Sequence, residues 1–233
     1  MTPRYHQHGV SLTSLLVGLV VSMIVILSSM ALFNNTLQSN TRSSQDARLT
    51  GERATGLLVA HMELQGAGFG IDNAQPGTHL RLISGATLTG APPTNGALSG
   101  TPQNIGSGQR TGNALIWSQA PNLSTGQVTC TGLYAPATGD LGLYLLRSQP
   151  CSDATEDLTW DAQPLITDGE NQPFRKVQEF TFTVRHQDCQ GLGVAGQGHL
   201  EVTLNTKHST GATKADSDAI DLSSTTCLLN FPQ

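Results

Sequence analysis

The sequence predicts an α+β protein in which a long N-terminal helix packs against a mainly antiparallel β-sheet head. An uncharged apolar run occupies residues 10–33, and no proline follows it before Pro76, so a helix can continue beyond the run. From residue 114 onward, short apolar segments recur between turn residues, as in a β-rich domain. These observations divide the chain into four segments: 1–9, 10–33, 34–66 and 67–233.

Composition limits the classes of function. The chain has 233 residues, 12 Lys and Arg against 17 Asp and Glu, and a formal net charge of -5. Only 12% of its residues are charged and 5% are aromatic, which suits a secreted β-rich body with polar loops. A nucleic-acid partner is not expected, because phosphate binding requires clustered basic side chains.

The cysteines predict an oxidising compartment. All four lie in the second half of the chain, scattered and without a CxxC spacing, at Cys130, Cys151, Cys189 and Cys227. This arrangement favours two disulfides over a metal site, although three pairings are possible. If neighbours along the chain pair, the chain-entropy model gives roughly 3 to 4 kcal/mol for each closed loop.

The apolar run has the length of a membrane span. Its stricter core, from Leu15 to Phe33, would rise about 29 Å as a helix, against a hydrocarbon thickness of about 30 Å. Arg4 is the only charge ahead of the run, which favours a cytoplasmic N-terminus and an exported head. A small-residue site at Ser28 to Ala31 leaves open the alternative of a removable secretory signal.

The junction Gly9-Val10-Ser11-Leu12 joins a short polar leader directly to the apolar run. It resembles the type III signal of type IV prepilins. The resemblance implies that prepilin peptidase cleaves after Gly9 and N-methylates Val10, so that residues 1–9 are a leader. The family usually has Phe at the first mature position and Glu at the fifth, where this sequence has Val10 and Ser14.

Ser14 removes the carboxylate that, in the family, is thought to neutralise the terminal amine of a neighbouring subunit. An uncompensated ammonium in an apolar filament core is costly. Ser14 therefore indicates a subunit with no partner amine to neutralise, at or near the filament tip. Drift at a tolerant position is the alternative.

The second half of the helix carries a modest apolar stripe at roughly helical spacing, formed by Ala47, Ala54, Leu57, Leu58 and Met62. Glycines in the segment Gly66 to Gly70 predict its end. Residues 53–72 resemble the helix end of PilW-type minor pilins, where the helix closes into a turn. A dinucleotide-binding loop is excluded, because no strand precedes these glycines.

In the head, we predict a surface region of loops and short strand pieces over residues 84–113, rich in Gly, Thr, Ser and Pro. Strands are predicted at Ala114–Ser118, Val128–Leu133, Gly142–Arg147, Gln163–Thr167, Val177–Arg185, His199–Thr206 and Thr226–Phe231. The order of these segments resembles the PilW group, which implies a disulfide between Cys130 and Cys151.

No residue cluster predicts catalysis, and we expect no enzyme, no cofactor and no metal. His6 and His8 leave with the leader, while His61 and Glu63, two apart on a helix, face different directions. The remaining candidates are the sequence Arg185 to Cys189, an acidic loop of Asp153, Glu156 and Asp157, and the two tryptophans. Cys189 in a disulfide is no nucleophile, the acidic residues suit a solvated loop, and Trp117 and Trp160 suit the core, although an exposed Trp160 could serve binding.

The resemblance implies a minor pilin that acts in filament initiation and assembly. Its partners would be other minor and major pilins, prepilin peptidase and the inner membrane, with the head in the periplasm and later at the cell surface. A J-type minor pseudopilin of type II secretion is the closest alternative. A membrane-anchored periplasmic binding protein or adhesin is the alternative from another class.

Overall fold

A computed structural model of the chain describes residues 12–90, 96–106, 108–138, 141–167, 177–187, 189, 198–209 and 219–231. The chain forms two compact units, Met1–Gly51 and Glu52–Gln233. One helix and eleven strands are described: α1 Leu12–Gln65, β1 Leu80–Leu88, β2 Gly96–Gln103, β3 Arg110–Gly112, β4 Ala114–Asn122, β5 Gln127–Tyr134, β6 Gly142–Pro150, β7 Thr159–Trp160, β8 Ala162–Thr167, β9 Val177–Gln187, β10 His199–Ser209 and β11 Ala219–Leu228.

The described part of the first unit is helical throughout, and every side chain described in it is exposed. The helix continues without a break into the second unit, as the absence of proline predicts. It contains no acidic residue in its first turn and no basic residue in its last. The first half of the helix is apolar, and because its described side chains are exposed, nothing within its own unit covers this apolar surface.

Seven strands of the head form a sheet in the order β7-β2-β1-β4-β5-β6-β8. Its two end strands are consecutive in the chain and are separated only by Asp161. Trp160 pairs with Gly96 on β2, and Ala162 pairs with Leu146 on β6. The single segment Thr159–Thr167 thus pairs with β2 through its first two residues and with β6 through its last six, and the sheet curls into a small, partly closed barrel.

The central strands of the barrel are buried on both faces. Ile116 and Tyr134 face an inner cluster, while their neighbours Leu115 and Leu133 face an outer cluster. A strand covered on both faces needs a nearly continuous apolar run, which explains the sequence Ala-Leu-Ile-Trp at the start of β4. The inner cluster is filled by side chains, among them Ile83, Leu88, Tyr144, Leu146 and Trp160.

The second sheet has four strands in the order β11-β10-β9-β3. Its inner face supplies Phe182, Val202 and Leu204 to the outer cluster, which also contains side chains of the last turns of α1. All pairs between the named strands are antiparallel, so the predicted α+β class with a mainly antiparallel head is confirmed. The head nevertheless contains two sheets where the sequence predicted one.

The buried face of the helix end agrees with the predicted stripe at Leu57, which packs against the outer cluster, but differs from it elsewhere. Leu58 and Met62 are 57% and 62% exposed, so their assignment to the packed face is wrong. The packed face instead carries Gly56, Ala60 and Leu64, all buried. A Cβ atom at Gly56 would lie 2.4 Å from Ile166 Cγ1 and 2.9 Å from the Leu165 carbonyl oxygen. Small residues face the sheet because the helix backbone approaches it this closely.

The predicted helix end is confirmed, because α1 stops at Gln65 and the glycine segment forms a turn. Gly68 and Gly70 have φ angles of 75° and 72°, a region that glycine adopts without strain. The Gly68 N–H donates to the Ser118 carbonyl over 2.9 Å, and the Phe69 carbonyl accepts from the Ala120 N–H over 2.7 Å. The turn is thereby tied to β4.

The loops and short strand pieces predicted for residues 84–113 are confirmed in kind, since the end of β1, β2 and the short β3 lie here. Buried Asn113 organises this region, since its Nδ2 donates to the Ala86 and Ala135 carbonyls and its Oδ1 accepts from the Ala86 N–H. The last predicted strand also shifts, because β11 spans Ala219–Leu228 and a turn follows it.

We expect Gly56→Ala to destabilise the head and Gly51→Ala to leave its stability unchanged or higher. The added methyl at position 56 overlaps Ile166, and overpacking of this kind costs about 1–3 kcal/mol. At position 51 a Cβ meets nothing within 4 Å, so only the helix propensity of alanine acts there. Thermal unfolding of the detergent-solubilised chain, followed by circular dichroism, measures both. Equal melting temperatures for the two variants would contradict the close approach.

Candidate functional site

The candidate site begins with the apolar segment, which we define as residues Leu12–Thr41 of α1. It has 30 residues, and none of its most apolar part is buried within the protein. By length and composition it is able to cross a membrane. An N-terminal secretion signal shares these properties, so processing distinguishes an anchor from a signal.

Hydroxyl side chains in the apolar segment bond to their own helix. Ser22 Oγ donates to the Gly18 carbonyl over 2.8 Å, and Ser28 Oγ donates to the Ile24 carbonyl over 2.8 Å. Thr36 Oγ1 makes the same bond to the Leu32 carbonyl over 2.9 Å. Bonds one turn back satisfy these hydroxyls without water or a second chain, so they do not prevent burial in lipid.

Small residues recur every fourth position at Ser14, Gly18 and Ser22, and therefore share one face of the helix. A Cβ at Gly18 would meet nothing within 4 Å, so this face is open. Small residues spaced in this way allow two helix backbones to approach closely in a membrane. This face was missed in the sequence, although the spacing of four was visible there.

The predicted processing residues Gly9 and Val10, with the leader 1–9, lie outside the described residues. Ser14 lies in the first described turn of α1 and is exposed. No acidic side chain occurs in that turn. The N-terminal end of the described helix therefore lacks a carboxylate that could pair with a cation.

The head contains two disulfides, as predicted. Cys130 on β5 is bonded to Cys151, directly after β6, with their Cα atoms 5.7 Å apart. Cys189 is bonded to Cys227 on β11, with a Cα separation of 6.1 Å. The first is the pair that the resemblance implied. Two disulfides are typical of a domain that folds in an oxidising compartment.

The acidic loop after Cys151 is organised by its own hydrogen bonds. The Ser152 N–H donates to Glu156 Oε2 over 2.7 Å, and the Thr155 N–H donates to Asp153 Oδ1 over 2.7 Å. The hydroxyl of Thr155 lowers the pKa of Asp153, helped by the backbone N–H and by the charges of His79 and Arg81. Glu156 and Asp157 are exposed, which agrees with the predicted solvated loop.

The sequence Arg185 to Cys189 forms no arrangement suited to nucleophilic catalysis among its described residues. Arg185 forms an ion pair with Glu201 at 2.6 Å, and His186 Nδ1 lies 2.9 Å from the Gly198 carbonyl. Cys189 is bonded to Cys227 and has no thiol. Asp188 lies outside the described residues.

His61 makes a contact that the sequence did not predict. Its Nδ1 lies 2.6 Å from Thr226 Oγ1 on β11, and its Nε2 lies 3.0 Å from Gln65 Nε2. Either the ring N–H of His61 or the hydroxyl of Thr226 can donate in the first of these contacts. This bond fastens the helix end to β11.

The tryptophans lie in the core, as expected. Trp117 is 0% exposed in the outer cluster and Trp160 is 1% exposed in the inner cluster. The alternative of an exposed Trp160 at a binding face is therefore wrong. Burial also raises the pKa of Tyr134, which lines the inner cluster.

Comparison of the chain with protein-family models, with characterised proteins and with solved structures finds no match.

Proposed function

We propose that the chain is a minor subunit of a type IV pilus, without enzymatic activity, that acts in initiation and assembly of the filament at or near its tip. The observation that supports this most is the apolar segment itself. It is uncharged from Val10 to Phe33, exposed within its unit, and continuous with a helix that enters a disulfide-bonded head. A helix that served only as a membrane anchor would not need to continue unbroken into the head.

In this proposal the apolar segment first holds the subunit in the inner membrane with the head in the periplasm. It then passes from lipid into a bundle of helices from other pilins. Lipid is as apolar as leucine, so the hydrophobic effect does not drive this transfer. Close packing must drive it instead, and the face of Ser14, Gly18 and Ser22 permits a close approach.

The residue at position 14 supports a location of this subunit at the tip of the filament. A subunit inside the shaft would bring its position-14 side chain near the terminal ammonium of a neighbour, where a carboxylate lowers the cost of burying the charge. Ser14 cannot supply a negative charge. A subunit at the tip has no neighbouring terminal ammonium to face, so it needs no carboxylate at position 14.

A J-type minor pseudopilin of type II secretion would use the same helix in the same way. The two alternatives differ in which subunits the helix meets. Co-purification with pilus subunits supports the first, and co-purification with secretion subunits supports the second. A membrane-anchored binding protein or adhesin would co-purify with neither and would keep its leader or lose the whole apolar run.

We expect the membrane-extracted protein to begin at an N-methylated Val10. Gly9→Leu should retain residues 1–9, because the peptidase would lose its small residue at the cleavage site, whereas His6→Ala should be processed normally. Intact-mass and N-terminal mass spectrometry measure both variants. A mature chain that starts after Ala31 would show that the run is a removable signal and would end the proposal.

We expect Gly18→Leu to lower co-purification with other pilins by about tenfold, since it keeps two backbones apart on the small-residue face. Ala31→Leu is the matched control, because position 31 lies on a different face of the helix. Quantitative mass spectrometry of cross-linked membranes measures the yield. Both variants should insert and be processed like the parent chain, and an equal yield from both would contradict packing through this face.

We expect Ser14→Glu to raise the share of the protein found along filament shafts by several-fold, because the carboxylate would neutralise a neighbouring amine. Ser14→Gln has a similar size without the charge and should behave like the parent chain. Immunogold counts along sheared filaments, relative to their ends, give the distribution. An unchanged distribution for Ser14→Glu would remove the argument for the tip.

A further inference from the structure

The strand β11 forms the longest edge of the four-stranded sheet among the described residues. In the larger sheet, the two end strands β7 and β8 belong to the single segment Thr159–Thr167, which covers Gly96 and Ala97 of β2 and pairs with β6. At one end of the four-stranded sheet, β3 has only three residues. At the other end, β11 has ten residues and pairs with β10 alone among the described strands. An edge of this length presents a row of backbone donors and acceptors to another strand.

The strand β11 carries none of the usual protections against pairing. It forms ten consecutive pairs with β10 without a register shift, so no bulge turns its edge away. It contains no proline and no lysine, and Asp221 is its only charged residue. Ser223 and Thr225 on it are exposed. Natural edge strands are usually short, bulged, charged or covered, and β11 is none of these within the described residues.

The sequence of β11 suits pairing with itself. Residues 223–226 are Ser-Ser-Thr-Thr, a run of four hydroxyl side chains. An antiparallel pair centred on Ser224 would place Ser223 of each copy opposite Thr225 of the other, and Asp221 opposite Cys227. Hydroxyl pairs across strands are favourable, and no like charges would face each other. A twofold pair of this kind closes on itself and leaves neither edge open.

We propose that β11 is a docking site for a second copy of this chain, joined by antiparallel pairing of the two β11 strands. The partner is recognised through its extended backbone, and the hydroxyl run sets the register. The proposal does not depend on the pilin assignment, because it rests on the strand order and sequence of the head. A dimer through the apolar segment would be a separate contact.

The test uses the full chain in its native membrane, with a photoreactive phenylalanine replacing Ser224. Illumination should give a product of twice the chain mass, joined between the β11 strands of two copies. The same probe replacing Thr111, on the opposite edge of the same sheet, should give none. A product with a different protein, or a cross-link within one chain, would overturn the assignment of the partner.

Charge substitutions test the edge itself. The pair Ser223→Lys and Thr225→Lys would place lysine opposite lysine in the symmetric dimer, and should lower the yield by about tenfold. The corresponding pair of aspartates should do the same, and co-expression of the lysine and aspartate chains should restore the product. Gln109→Lys with Thr111→Lys repeats the spacing on the opposite edge and should change nothing.

The measurements distinguish a loss of pairing at the β11 edge from a loss of the folded head. Circular dichroism melting of the solubilised variants checks that the lysine and aspartate chains stay folded, and rescue by co-expression requires two folded partners. A yield that is insensitive to both charge pairs would overturn the proposal. N-terminal processing reports independently on the proposed function and should be the same in every variant.

Discussion

The head depends on one closure. The segment Thr159–Thr167 pairs with β2 through its first residues and with β6 through its last, so a single stretch of chain completes the barrel. Closure covers the inner cluster and pairs backbone groups at the start of β2 and along β6 that would otherwise be open. The disulfide from Cys130 to Cys151 lies beside this closure, because the loop that follows Cys151 leads directly into β7. Covalent and backbone constraints therefore act on the same corner of the head.

The closure also explains which parts of the fold could be predicted from sequence. Strands such as β4, β5 and β6 were predicted near their observed positions because double burial demands dense apolar runs. The barrel itself could not be predicted, since the pairing of Gly96 with Trp160 joins residues far apart in the chain and leaves no local pattern. Short strand pieces were predicted in residues 84–113 without bounds, because glycine and hydroxyl residues, typical of loops, form these strands around the buried Asn113.

The helix α1 was also predictable from the sequence only in part. Its extent and its end followed from the absence of proline and from the glycines after Gln65. Its packed face followed only at Leu57, because hydrophobicity also favoured Leu58 and Met62 while close approach to the sheet required Gly56 and Ala60. Apolar character predicts a face that packs at ordinary distance. Backbone contact selects for small size instead, and a pattern based on hydrophobicity cannot detect it.

The candidate site, too, could be predicted from the sequence only in part. An apolar run that matches the thickness of a bilayer is visible in any sequence, whereas the open face around Gly18 depends on three small residues that hydropathy ranks as neutral. Helices in lipid gain little from apolar contact with one another. A face of small residues therefore lets two helices approach closely but does little to select one partner over another. In the proposed assembly, selectivity between partners therefore comes from the head, where backbone and polar groups can be matched. In the head, the long edge of β11 offers an ordered row of such groups, and it lies on the strand that His61 and Cys189 hold in place.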